Sequence, residues 1–442
     1  MSRTARSAAT QALIPAVERF PDLPLAEPDL SGLSSADARL ATAIHRTTIQ
    51  RWLTLEHLLK RHLKQPARKL PAETYAILLG GAAQLIFMDR LPAYAVIDES
   101  VRLTHAFEVK RTAGVVNAVL RKIADSVGGP SDEPWSPAPG TDRLPASDGT
   151  TIRLKGKLLP KPDNLLAHLV VATSHPMPLL QRWFKAHGRE RATALALHSL
   201  RNPPTFVIED EQPRRWGGSH AELVKHLAAD PSRRVQDPSS LASVAALSDF
   251  NLNPKTILDL CAGRGTKTRQ LQQLCPAGQI TAHDPDNARR ADLERIEKIA
   301  VAEPQPGQVF DLIVLDVPCS NTGVLARRPG ARYRATDANR QSLVELQREI
   351  INRALQHLAP DGYLLYCTCS IEAEENEWQA KWIAEQAAGL KILKEKTILP
   401  ASGGVSGARS GGVSGGSPES GPEGGSDYHD GSYHAVIGRA VN

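Results

Sequence analysis

Apolar residues recur at helical spacing through the first quarter of the chain. Leu40, Ile44, Ile49, Leu53, Leu58 and Leu59 keep roughly helical spacing behind Ser35-Ala36-Asp37, which predicts a capped helix. Residues 73–88 (ETYAILLGGAAQLIFM) are apolar nearly all round, as in a buried helix. Further helices are predicted over 95–107, after Pro92, and over 113–123. No strand alternation occurs here, so residues 1–125 read as an all-α bundle. Beyond residue 250 the pattern changes to short apolar runs of strand length, around 255–260, 279–284, 310–317 and 363–368, separated by helix-like segments. That alternation predicts an α/β, Rossmann-like domain with a mostly parallel sheet.

Punctuation marks the boundaries. Residues 126–160 open with a Pro-, Gly-, Ser- and Asp-rich stretch (GGPSDEPWSPAPGTD) and read as a linker. Residues 161–234 carry helices around Leu179 to Phe184 and over 192–200, an Asn202-Pro203-Pro204 stop and a strand at 205–209. They read as an extension of the domain at 235–442. Residues 402–426 are mostly Gly and Ser and are expected to be a disordered insertion.

A chain of 442 residues is too long for one ordinary core and implies several domains. The formal net charge of +5 permits an acidic partner without requiring one. From Arg39 to Leu70 there are eight Lys/Arg (Arg39, Arg46, Arg51, Lys60, Arg61, Lys64, Arg68, Lys69) against one acid, Glu56. Such a run reads equally as a phosphate contact or a solvated helix face. Arg153 to Pro162 adds four Lys/Arg and no acid. The five cysteines (Cys261, Cys275, Cys319, Cys367, Cys369) all lie beyond residue 260. An odd count in one region does not read as a secreted disulfide framework, and Cys-X-Cys at 367–369 does not have finger spacing, so no metal is expected. The first residues lack a signal-peptide core, and no apolar run approaches about 18 residues, so no membrane span is expected. A cytoplasmic monomer is the expectation.

Two of the apolar runs end at thiols: Asp316-Val317-Pro318-Cys319 and Thr368-Cys369-Ser370. In a strand–helix–strand unit both ends face one crevice. The run 255–268 is a strand, a tight turn and a helix start, with Cys261, Ala262, Gly263, Arg264, Gly265, Thr266 and Lys267 in the turn. Glycines let a ligand approach the backbone, and a helix start offers free N–H groups. A P-loop would need Gly before Lys267, where Thr266 stands; a dinucleotide fingerprint would need Gly at Thr268. The acid at the next strand end, Asp284, is placed to take ribose hydroxyls. Cys275 and Cys367 read as buried small hydrophobes.

Several stretches carry a resemblance. Leu91 to Val101 (LPAYAVIDESV) with Gly114 to Arg121 (GVVNAVLR) resembles the NusB-like RNA-binding domain. Ser174-His175-Pro176 with the Asn-Pro-Pro stop, and Gln236-Asp237-Pro238-Ser239-Ser240, resemble RNA cytosine-C5 methyltransferases. The turn at 259–268 resembles the S-adenosylmethionine loop of that family, which reads Asp-X-Cys-Ala-Ala-Pro-Gly-Gly-Lys-Thr. This chain has Gly263, Arg264 and Thr266 where the family has Ala, Pro and Gly. The family also has a helix, a third strand and an adenine-contacting Asp before the strand at 310. Here that span is short, without a matching Asp, and Glu303 is the nearest acid. The two cysteine motifs are similar to that family's pair. The resemblance implies Cys369 as nucleophile, Cys319 assisting product release and Asp316 on the base. It implies a cofactor held by residues 261–267, Asp284 and Asp316. It also implies a cationic loop of Arg327, Arg328, Arg332 and Arg334 near the mouth. Most of the chain follows the bacterial 16S ribosomal RNA methyltransferases of the Sun/RsmB type. That points to S-adenosylmethionine as cofactor and RNA as partner; an RNA-binding protein with a degenerate cofactor site, or a transfer RNA methyltransferase, remains open.

Overall fold

The computed structural model describes residues 3–23, 27–138, 140–402 and 428–439. Of the Gly/Ser-rich stretch 402–426, all but Ser402 lies outside the described residues. The chain divides into two compact units, residues 1–202 with 325–336, and residues 203–324 with 337–442.

The first unit begins with six helices: α1 Ala5–Arg19, α2 Ser35–Gln50, α3 Trp52–Lys60, α4 Ala72–Phe87, α5 Ala93–Ala106 and α6 Ala113–Ser126. A Thr4/Ser7 capping box starts α1, and Ser34 caps α2 through the Asp37 N–H. The apolar helix α4 is buried over nearly its whole length, as its sequence requires. The single helix expected from Leu40 to Leu59 is two. Arg51 leaves helical geometry (φ −110°, ψ 15°), and the Leu53 N–H turns instead to the Ser174 hydroxyl at 2.8 Å. Arg51 is buried over the Phe87 ring, and burial lowers its pKa to about 9, so the basic run is not one solvated face.

The expected linker is folded. Val127–Pro134, Arg143–Pro145 and Thr150–Leu154 form an antiparallel sheet with the third strand central. Trp135, Leu144, Ile152 and Leu154 are buried, and period-two placement of Ile152 and Leu154 gives the sheet an inner face. Composition concealed this because turn residues outnumber four well-placed apolar ones. Helices α7 Leu165–Thr173 and α8 Met177–His198, broken at Gly188, complete the unit. The division falls after Asn202, so these helices go with the bundle rather than with the second unit. Bonds from the bundle explain this: Gln50 Nε2 donates to the Ser199 carbonyl at 3.0 Å and Thr54 Oγ1 to the Val171 carbonyl at 2.5 Å, beside the Leu53 N–H bond to Ser174. Buried His175 bridges Thr173 (2.9 Å) and Ser199 (3.0 Å) within the segment, and burial holds its pKa well below normal, making it a structural residue.

The segment 325–336 belongs to this unit too. Arg332 is wholly buried and donates to the carbonyls of Gln50, Thr173, Ser199 and Pro329. The cationic loop expected at 327–334 is therefore corrected at Arg332: four carbonyls engage its guanidinium inside the protein.

The second unit opens with a small sheet (Phe206–Glu209, Gln212–Arg215, Arg234–Val235) and α9 His220–Ala228. Its main sheet, whose strands alone are numbered here, comprises β1 Thr256–Asp259, β2 Gln279–Ala282, β3 Ile299–Val301, β4 Phe310–Asp316, β5 Leu358–Thr368, β6 Leu390–Ile398 and β7 Ser432–Arg439. The order is 3-2-1-4-5-7-6, parallel from β3 to β5, with β7 antiparallel to both neighbours. Helices α10 Pro238–Ala245, α11 Thr266–Leu274, α12 Asn287–Leu293, α13 Asp337–Leu355 and α14 Glu377–Gln386 flank it. Alternation divides the core. Ile313 and Leu315 of β4 meet α13 and α14 on one face; Leu312 and Val314 meet α10 and α11 on the other. The span before β4, short as it is, holds a helix and a third strand; Glu303 follows that strand and pairs with Arg353 at 2.7 Å. No helix among the described residues is long and apolar enough to cross a membrane.

Candidate active site

Strand order reverses between β1 and β4, so their carboxyl ends border the crevice where open α/β sheets place ligands. The β1–α11 turn lies there. Gly263 (φ +58°) and Gly265 (φ +83°) occupy left-handed conformations. The positive φ at Gly265 favours glycine, and a Cβ there would also push aside the end of the Ile296 side chain. The Gly263 N–H donates to Asp284 Oδ2 at 3.0 Å, joining the turn to the end of β2. Ala262 donates to the His283 carbonyl at 3.0 Å. Arg264 does not enter the turn. Its side chain is 77% exposed and pairs with Asp292 at 3.1 Å, which removes the steric conflict its bulk suggested. Thr266 opens α11. Burial raises the pKa of Cys261, so it stays a neutral thiol.

At the end of β1, Asp259 is fully buried; Thr268 donates to its Oδ2 at 2.7 Å and its Oδ1 has no partner. Burial raises its pKa to about 7. Next along α11, Lys267 donates to Asp316 Oδ2 at 2.7 Å. Burial opposes the ammonium charge, but the Asp316 carboxylate outweighs it and the Lys267 pKa is raised.

The thiols meet. In the β4–β5 register Asp316 is opposite Cys367, which brings the following loops side by side. Cys319 Sγ lies 3.2 Å from Cys369 Sγ. Cys369 donates to Asn321 Oδ1 at 3.3 Å, while Asn321 Nδ2 donates to the Cys319 carbonyl at 2.7 Å. The hydrogen bond to Cys369, and then burial, raise the Cys319 pKa well above normal. Cys275 and Cys367 are buried.

One carboxylate ties both loops. The serine after each cysteine hydrogen-bonds to Glu375 Oε2: Ser370 at 2.5 Å, and Ser320. Glu375 Oε1 accepts from the Ser320 N–H at 2.8 Å and from Gln347 at 3.2 Å. Burial raises the Glu375 pKa, against the lowering pull of the serines. Sequence reading missed Glu375 and Asn321. The signal was there: a Ser after each thiol, and acids at 374–375 a few residues downstream.

A mostly parallel seven-stranded sheet, a glycine turn at its switch point and paired strand-end thiols define a class I methyltransferase of RNA-family type. Residues 250–405 match the family described as "16S rRNA methyltransferase RsmB/F", and residues 3–125 match the NusB family. Residues 250–405 thus carry an RsmB/F methyltransferase domain and residues 3–125 a NusB domain. The chain is similar to the ribosomal RNA small subunit methyltransferase B of Escherichia coli O6:K15:H31, 27% identical over 89% of this chain and 93% of that one. It is 28% identical to the protein of that name from Vibrio cholerae, over 77% of this chain and 79% of that one. Among solved structures, that of PH0851 shares the fold, with TM-score 0.63 and 17% identity over 99% of this chain and 100% of that one. The chain is a methyltransferase, and enzymes of this class take their methyl group from S-adenosylmethionine.

Proposed function

We propose that this chain methylates carbon 5 of a cytosine in RNA, with 16S ribosomal RNA as substrate and the cytoplasm as its place of action. The observation that carries the reading is the pair of sulfurs, Cys319 and Cys369, 3.2 Å apart at the ends of β4 and β5. Relatives named for the ribosomal small subunit support the choice of RNA.

The residues at the switch point fit S-adenosylmethionine. The turn 261–267 has open space beside Gly263, free N–H groups at the start of α11 and the orphaned Asp259 Oδ1 beneath it. Asp284 stands at the end of β2 for ribose hydroxyls. When bound, the cofactor supplies an electrophilic methyl group.

Carbon 5 of cytosine is a poor nucleophile, and adding a thiolate to carbon 6 makes it enamine-like. In this reading Cys369 gives up its proton to solvent and adds to carbon 6 as the thiolate; that proton is the one the overall reaction releases. Asp316, held by Lys267, engages the edge of the base. Cys319, kept neutral at rest by its neighbour and by burial, remains a proton donor beside the nucleophile. For release, the proton on carbon 5 passes to Cys319 as the Cys319 proton passes to the departing Cys369 sulfur. The carbon–sulfur bond breaks and both thiols are regenerated. Glu375 fixes the two loops so that the sulfurs stay adjacent.

Two measurements test this. Bisulfite sequencing of ribosomal and transfer RNA from a deletion strain should show one lost 16S methylcytosine; loss only in transfer RNA would move the substrate, and no loss would overturn the assignment. Cys319→Ala should accumulate a covalent protein–RNA adduct resolved by denaturing gel, and Cys369→Ala should form none; the reverse pattern would exchange the roles.

A further inference from the structure

The first unit carries a cluster of exposed cations assembled from three segments distant in sequence. Arg61 and Lys64 follow the end of α3, Lys122 lies in the last turns of α6, and Lys155, Lys157 and Lys161 lie beyond the small sheet. All six are exposed, and among the described residues none of their side chains makes an ion pair or hydrogen bond. Two contacts lay the 155–158 stretch across both helix ends. The Lys155 N–H donates to the Ser126 carbonyl at 2.7 Å, and Ser126 is four residues from Lys122, hence on the same helix face. The Leu158 carbonyl meets His57 at 2.9 Å, and His57 is four residues from Arg61. His62 senses the same gathering: partial burial, then the charges of Lys122 and Arg61, lower its pKa.

Helix termini alone explain only part of this. Cations at carboxyl ends complement the helix dipole, which accounts for Arg61 and Lys122. It does not account for Lys155, Lys157 and Lys161, which lie on irregular backbone with a single acid, Asp163, close in sequence. Of the acids beside the cluster, Glu56 is engaged by Lys60 at 3.1 Å, and Asp125 is the exposed one nearest Lys122 in sequence. Residues 126–249, the lysines at 155–161 among them, lie outside both family matches.

We propose that the ends of α3 and α6 and the stretch 155–161 form one surface that binds RNA phosphates. The proposal rests on RNA being the substrate of the methyltransferase unit. Unpaired cations on exposed backbone match a polyanion, whose binding releases counterions and falls with salt.

The test is the full chain carrying Lys122→Gln, Lys155→Gln and Lys157→Gln together. Affinity for an unmodified 16S ribosomal RNA transcript is measured by filter binding between 50 and 200 mM salt, with methyl transfer followed in the same samples. Each lost phosphate contact removes about 0.7–0.9 from the log–log salt slope, so the triple variant should be shallower by about 2. Affinity at low salt should fall by about tenfold or more, with kcat at saturating RNA within about twofold of the parent. An unchanged slope in a variant that still melts like the parent overturns the proposal. So does loss of binding to phosphatidylglycerol vesicles with RNA binding intact, which would assign the surface to lipid. A reduced slope in a chain that transfers no methyl group would uphold the surface and sink the proposed reaction instead.

Discussion

Asp259 has one oxygen bonded to Thr268 and one facing no partner, in a fully buried position. Its pKa rises from an ordinary aspartate value to about 7 because burial disfavours the charge. A group with a raised folded pKa contributes stability below its unfolded pKa, and that contribution is lost as pH climbs through the folded value. The window here runs from about pH 4 to about pH 7, and three pKa units correspond to about 4 kcal/mol. Asp259→Asn should therefore gain on the parent across that window and level off above it, by up to that amount in cofactor-free urea unfolding. A difference independent of pH would show that the carboxyl is not buried as described.

At the scale of elements, the active loops depend on a close approach. A Cβ on Gly323 would lie 2.6 Å from the Gly431 carbonyl oxygen and 2.8 Å from that of Cys369, both backbone atoms that cannot turn aside. Gly323 also donates to the Cys369 carbonyl at 3.0 Å. Gly323→Ala should cost about 1–3 kcal/mol and separate the two sulfurs. The measurement is a fall in kcat with a covalent protein–RNA adduct appearing in Gly323→Ala alone, as in Cys319→Ala, and cofactor affinity unaltered; no adduct would show that the sulfurs stay adjacent. What sequence could and could not foresee follows the same division. The strands at 256–259 and 310–316 and their thiols were legible because apolar runs and end residues are local signals. The Cys319–Cys369 pair required only parallel strands. The Glu375 junction was legible only in its parts, a Ser after each thiol and acids at 374–375, since their meeting depends on four groups from three segments coming together in space. The sheet at 127–154 was not legible, because four apolar residues outweigh a turn-rich composition there. Arg264 misled because a position in a loop does not tell where its side chain points.

Across the whole molecule, the segment 325–336 leaves one unit for the other and returns. Arg332 is its anchor, with burial lowering its pKa to about 10 and carbonyls from Gln50, Thr173 and Ser199 around it. Arg332→Met keeps much of the volume but takes the guanidinium donor from the Gln50 and Thr173 carbonyls, at about 1–3 kcal/mol each when buried, while Ser199 keeps its bond from Gln50 Nε2. The first unit should unfold several degrees earlier by differential scanning calorimetry, while the methyltransferase unit's transition stays within a degree or two. Equal shifts in both would mean that the two units melt as one.

That path also sets a timetable for synthesis. The first unit is complete in neither composition nor hydrogen bonding when its helices through residue 202 have been made; it awaits residues 325–336, a further 134 residues on (336 − 202). At translation rates of about 5–20 residues per second the wait is roughly 7 to 27 s. During it the carbonyls of Gln50 and Thr173 wait on the ribosome for the Arg332 guanidinium. A nascent chain stalled before residue 325 would thus present an unfinished bundle to chaperones and proteases, and one stalled after residue 336 would present a closed one.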